Sequence, residues 1–130
     1  MKKLILLAML FVPGIALSST KDATKEALDY CATTESWAAQ KVIDAAVERN
    51  KQLDRMKATS SLIERHKLVK GKKPITFEDW GQLYTQTIEV SIPHIDNHKK
   101  PVIFIASSII SAEECSLTEV AYFNITPEMY

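Results

Sequence analysis

Residues 22–50 have the sequence DATKEALDYCATTESWAAQKVIDAAVERN, which carries the strongest secondary-structure signal in the chain. It is rich in alanine and contains no proline or glycine, and its apolar residues recur near helical spacing. This pattern predicts an amphipathic helix. Either Thr33 or Thr34 could cap a fresh start ahead of Trp37, so the segment forms one helix or two.

The next two segments also fit helices. The chain from Leu53 to about His66 keeps a helical apolar stripe, with basic residues on the other faces. Thr76 and Asp79 have the spacing of a capping box, which predicts a third helix that starts there and ends before Pro93.

Residues 102–110 fit either a helical stripe or a strand, because their apolar positions suit the first and their β-branched side chains the second. We favour helix, since no other segment alternates clearly enough to supply a partner strand. The sequence therefore predicts an all-α fold, a small bundle of about four helices closed by one disulfide. From about residue 117 we expect a loosely ordered tail, or one that packs through Val120, Tyr122 and Phe123.

The first eighteen residues have the form of a secretory signal peptide. Lys2 and Lys3 precede an apolar run, and the small residues Ala16 and Ser18 suit signal peptidase. The run is about half the roughly 20 residues that span a bilayer, so we expect cleavage after Ser18 and no membrane span in the processed protein. Residues 19–130 would then form a single domain that is periplasmic or secreted.

Two cysteines in an exported chain most simply form one bridge, and the sequence predicts a disulfide between Cys31 and Cys115. Closing so long a loop is worth about 4.5 kcal/mol in the chain-entropy model. In an up-and-down bundle of four helices, the start of the first helix and the end of the last lie at the same end, where the two cysteines would meet.

Charge is unevenly distributed along the chain. The whole sequence contains sixteen basic and sixteen acidic residues, yet one segment predicts a basic patch on an otherwise acidic body. Residues 49–73 contain nine basic residues, which we take as a candidate surface for binding a partner: Arg49, Lys51, Arg55, Lys57, Arg65, Lys67, Lys70, Lys72 and Lys73.

Catalytic and metal-binding patterns are weak. His94, Asp96 and His98 supply only three donors in one polar loop, which fits a solvated turn better than a metal site. The sequence has no nucleophile elbow and no glycine-rich phosphate loop. We therefore predict no catalytic residues, no metal and no cofactor, and a protein that is not an enzyme.

These features predict a small exported binding protein that acts stoichiometrically on another protein of the cell envelope. In its expected architecture alone, the chain resembles bacterial and phage periplasmic proteins that inhibit lysozymes or neutralise toxins, which implies a cell-wall hydrolase or a toxin as the partner. One alternative is a module that binds anionic lipid or lipopolysaccharide through the basic segment. A second alternative is an enzyme. Export and the few aromatic residues among the lysines argue against nucleic acid.

Overall fold

The protein has two layers, an antiparallel sheet and two helices on one of its faces. The computed structural model describes residues 16–127, so nearly all of the predicted signal peptide, residues 1–18, lies outside the described residues. The prediction of an all-α bundle is wrong, because the domain is built on a four-stranded antiparallel sheet and residues 16–127 form only two α-helices.

The alanine-rich segment forms two helices, which was one of the two alternatives left open by the sequence. Helix α1 spans Ala16–Tyr30 and helix α2 spans Trp37–Arg49. Between them, the Thr33 hydroxyl donates to the carbonyl of Tyr30 at 2.7 Å, and the Ser36 hydroxyl donates to the carbonyl of Thr33 at 2.7 Å. These side chains take up backbone groups that a continuous helix would use, and the chain turns there.

The main sheet consists of four strands, β1 (Thr59–Lys67), β4 (Tyr84–Ile92), β5 (Val102–Ile110) and β6 (Ala121–Asn124). They lie in the order β1-β4-β5-β6, and every neighbouring pair is antiparallel. Two very short strands, β2 (Val69–Lys70) and β3 (Lys73–Pro74), pair with each other between β1 and β4.

The third and fourth predicted helices are strands. Where a helix was predicted from Thr76 to Pro93, only Glu78–Trp80 makes a single 3-10 turn, and Gly81 ends it with φ +74°. β4 follows and pairs with β5 along its whole length, from Tyr84 opposite Ile110 to Ile92 opposite Val102. Residues 102–110 therefore have the partner strand that we did not expect from the sequence.

The second predicted helix is also wrong. Only Arg55–Lys57 turns, as a 3-10 segment, and the Asp54 carboxylate accepts the backbone N–H of Met56 at its start. The following residues form β1, whose register shifts between Leu62 and Glu64. Because a bulge breaks the two-residue alternation and most of the strand is exposed, β1 has no clear apolar period.

The core lies between α2 and the central strands. Alternate residues of β4 and β5 are buried under the helices, as expected for a sheet with one covered face. Small alanines on α2 allow close approach to the sheet. The main cluster includes Ala38, Ala39, Val42, Ile43 and Ala46 of α2 with Ile88, Val90, Ile92, Phe104 and Ala106 of the sheet.

The disulfide between Cys31 and Cys115 is confirmed, with a Cα–Cα distance of 5.4 Å. The two cysteines do not meet at one end of a four-helix bundle, however, as the sequence had predicted. Cys31 follows the end of α1 and packs with Leu28 against Ile110 at the end of β5, and Cys115 lies just beyond that strand. The bridge fits an oxidising compartment. Neither helix of the described part is long and apolar enough to cross a membrane.

Candidate functional site

The nine basic residues of the segment 49–73 do not form one patch. Four of them (Arg49, Lys51, Arg55 and Lys57) precede β1, and the other five lie at its far end or beyond it. The nine-residue strand separates the two groups by about 27 Å, at about 3.3 Å per residue. In the first group, Arg55 pairs with Asp44 of α2 at 2.6 Å.

Arg65 is turned towards the protein interior, and its side chain is only 12% exposed. Its guanidinium donates to the Asp29 carboxylate at 2.9 Å, to the Leu28 carbonyl at 2.7 Å and to the Gln86 side-chain oxygen at 2.7 Å. Arg65 therefore ties the end of α1 to the sheet, and it has no free face to offer a partner.

Two further hydrogen bonds complete this contact, which we call the arginine clamp (Asp29, Ser60, Arg65 and Gln86). The Gln86 amide, on β4, donates to the Cys31 carbonyl at 3.0 Å, and the Ser60 hydroxyl, on β1, donates to the Ala32 carbonyl at 2.6 Å. Cys31 and Ala32 directly follow the end of α1, so the sheet supplies donors to backbone carbonyls just beyond the helix. Gln86 is 2% exposed, and nothing in the sequence singled it out.

Two neighbouring cations, one of them outside the clamp, lower the pKa of Asp29 below its usual value. The largest cause is the hydrogen bond from Lys25, whose ammonium lies 2.6 Å from the carboxylate, and the next is the hydrogen bond from Arg65. Asp29 thus stays ionised to a lower pH than an unpaired aspartate would.

Lys70, Lys72 and Lys73 lie on a projecting segment, residues 68–83, which we call the arm. It is the tip of the hairpin formed by β1 and β4, because Lys67 pairs with Tyr84 where the two strands meet its base. One side chain organises that base. The Gln82 amide donates to the carbonyls of Leu68, Ile75 and Leu83 at 2.8–3.1 Å.

The outer part of the arm is exposed throughout, from residue 69 to residue 74. Gly71 has φ +63° at the first position of a two-residue turn, which glycine adopts without the cost that a side chain adds. Lys70, Lys72 and Lys73 surround this turn, and no ion pair joins any of them to another described residue. The arm therefore presents three free ammonium groups.

A second turn of the arm presents an aromatic residue with acidic neighbours. Phe77 is 49% exposed, as is Val69 across the arm. Glu78 and Asp79 are exposed beside Phe77. The arm thus combines basic, apolar and acidic groups, and a purely anionic surface would repel part of it.

The loop with His94, Asp96 and His98 forms internal hydrogen bonds. The ring nitrogen Nδ1 of His94 lies 2.9 Å from the Lys100 carbonyl, and the Asp96 carboxylate accepts the backbone N–H of His98. Within residues 16–127, no three His, Cys, Asp or Glu side chains are grouped as metal ligands.

Comparison with known proteins gives no relative, since no family model, no curated protein and no solved structure matches the chain. The chemistry of the arm must be interpreted from its own residues.

Proposed function

We propose that this protein is an exported, periplasmic or secreted binding protein that acts stoichiometrically by docking its arm on an acidic partner protein, as inhibitors and immunity proteins do. The observation that carries the proposal is the arm itself, a structured projection with three unpaired lysines and two exposed apolar side chains. The likeness to helical inhibitors no longer contributes, because the fold is not helical.

The structure of the arm favours binding because little order has to be gained. The hydrogen bonds of Gln82 and the pairing of β2 with β3 hold the turn in place before any partner arrives. Ordering a flexible loop on binding costs free energy, and an ordered one avoids much of that cost.

The basic and the apolar side chains of the arm would have different roles in binding. Lys70, Lys72 and Lys73 would accelerate encounter with an acidic surface, because complementary charge mainly raises the association rate. Val69 and Phe77 would supply the apolar area that has to be buried for a lasting complex.

A protein fits the arm better than an anionic membrane does. Glu78 and Asp79 stand next to Phe77, so inserting that aromatic ring into an anionic headgroup layer would bring two carboxylates against like charges. A protein surface can place a basic group opposite these carboxylates and acidic groups opposite the lysines.

Site-specific photo-crosslinking in intact envelopes tests the proposal. A photoreactive residue replaces Lys72 in the arm, and a matched control replaces Lys100, an exposed lysine in the loop at the opposite end of β4. We expect one protein adduct at one-to-one ratio from position 72 and none from position 100, as read by mass spectrometry.

Two results would count against this function. Equal adducts at positions 72 and 100 would show that the arm has no special part in binding. Adducts confined to lipid, together with arm-dependent sedimentation on phosphatidylglycerol vesicles, would favour the membrane module instead.

A further inference from the structure

Strand β6 leaves one edge of the sheet open. It pairs with β5 on one side, and no strand within residues 16–127 pairs with its other side. The N–H of Ile125 donates to the carbonyl of Ile103 at 2.8 Å, which sets the alternation of the ladder. By that alternation, the N–H and C=O groups of Tyr122 and Asn124 face away from β5.

The opposite edge of the sheet is protected in a way that β6 is not. β1 carries a bulge and the charged residues Glu64 and Lys67, and such features discourage the addition of a strand. β6, with the sequence Ala-Tyr-Phe-Asn, has no charge and no shift in its register with β5. Of the two edges, β6 is the one that can template a further strand.

A cavity of about 390 Å³ opens beside this free edge, between the end of α2 and the helix-facing side of β5 and β6. Its size falls within the range of ordinary ligand pockets. Ala46, Leu53 and Phe104 give it a buried apolar floor. Tyr122 forms an aromatic wall and meets the Phe104 ring edge-on, with 6.1 Å between the ring centroids.

Arg49 brings the cavity a positive charge without a counter-charge. It is the last residue of α2, it is exposed, and it lines the cavity. No ion pair joins it to any residue in the described range 16–127. A carboxylate brought into the cavity mouth would form a charge-assisted hydrogen bond with its guanidinium.

We propose that β6 and this cavity form a docking site for an extended peptide segment that pairs antiparallel with β6. Residues opposite Tyr122 and Asn124 would point their side chains to the helix side of the sheet, because facing residues in a ladder share a face. A large apolar side chain then enters the cavity, and an acidic side chain two residues along the same face reaches Arg49.

A foreign segment fits this site better than a second copy of the chain. The residues of β6 include no carboxylate, so pairing of two β6 strands would leave Arg49 without a counter-charge. The site lies at the sheet edge opposite β1 and the arm, so it is independent of the docking proposed for the arm.

A designed peptide provides the probe. It is a capped hexapeptide of threonines with one leucine and one glutamate, placed two residues apart so that both side chains share a face. Titrated to millimolar concentration against the full protein, it should shift the NMR signals of Arg49, Tyr122 and Asn124 and slow amide exchange at Tyr122 and Asn124.

Backbone methylation tests strand pairing directly. Methylating the peptide nitrogens of the leucine and the glutamate, whose N–H groups face β6 in the antiparallel arrangement, should weaken binding about tenfold or more. Methylating two threonine nitrogens, whose N–H groups face solvent, should leave the affinity unchanged.

The charge is tested by Arg49→Gln, which should weaken the peptide about fivefold, with Lys51→Gln as a matched control that should not. Absence of shifts at millimolar peptide, or equal effects of the two methylation patterns, would overturn the proposal. So would concentration-dependent dimerisation that protects the same amides, because a second copy would then occupy the edge.

Discussion

Arg65 and Lys70 are both basic and stand five positions apart in the sequence, but their surroundings are opposite. Arg65 is almost fully covered and makes hydrogen bonds to a carboxylate, an amide oxygen and a helix carbonyl. Lys70 is exposed on the projecting arm and has no ion pair among the described residues. The first holds the fold together, and the second is free to meet a partner.

The difference follows from where each residue falls on the hairpin. β1 carries Arg65 opposite Gln86 in the main sheet, under the end of α1, so its side chain reaches the Leu28 carbonyl in the last turn of that helix. Beyond Lys67 the chain continues into the arm, where Lys70, Lys72 and Lys73 are exposed to solvent. A count of basic residues in the sequence cannot separate these two roles.

The largest effect on stability should come from the disulfide next to the clamp. Replacing both Cys31 and Cys115 by serine releases a loop of sequence separation 84. We expect a loss of about 4 kcal/mol in the free energy of unfolding, and a fall of roughly 15 °C in the unfolding midpoint. Thermal unfolding measured with and without reductant checks this, and a parent protein insensitive to reductant would contradict it.

Removing the clamp's arginine should have the next largest effect. Arg65→Met leaves the buried Gln86 oxygen without its donor and removes one of the two donors of Asp29, which keeps Lys25, and we expect a loss of about 2–3 kcal/mol in the free energy of unfolding. Lys70→Met makes the same chemical change on the arm and should cost less than about 0.5 kcal/mol. Equal losses in urea titrations of the two variants would remove the distinction between clamp and arm.

The clamp should also show in the pH dependence of stability. The pKa of Asp29 is lowered in the folded state, so its pairing stabilises the fold above the unfolded pKa of about 3.9 and is lost as pH falls towards the folded value. At pH 7, Asp29→Asn should cost less than about 1 kcal/mol, because the carboxylate is partly exposed. Its deficit relative to the parent should shrink as pH falls below the unfolded pKa, and a deficit independent of pH would contradict this assignment.

The sequence predicted the helical segment that contains α1 and α2 because helical signals are local, and it predicted the disulfide because the chain has only two cysteines. Alanine content and helical spacing place α1 and α2, and the polar cluster between Thr33 and Ser36 marks the break. Two cysteines allow one intramolecular pairing. The surroundings of the basic residues depend on tertiary contacts, and the sequence could only gather them into one segment.

The sheet was missed because buried polar residues hid its period. Buried apolar residues alternate in β4 at Ile88, Val90 and Ile92, but the preceding position on the buried face is Gln86. Its side-chain oxygen and nitrogen both form hydrogen bonds of the clamp. Once β4 was taken for a helix, β5 had no partner strand and was assigned to a helix as well. The cavity and the free edge of β6 could not be predicted from the sequence, because both depend on pairing between β5 and β6.

The most direct test of the central claim is the association rate with the crosslinked partner after charge reversal on the arm. Lys70, Lys72 and Lys73 are changed together to glutamate, and the matched control reverses Lys57, Lys99 and Lys100, three exposed lysines at the other end of the sheet. Stability should change by less than about 0.5 kcal/mol in both variants. We predict that the arm variant associates about tenfold more slowly at low salt, with a defect that shrinks as salt is raised, and that the control associates at least half as fast as the parent. Equal slowing of the two variants, or no slowing of either, would contradict the claim that the arm is the docking surface.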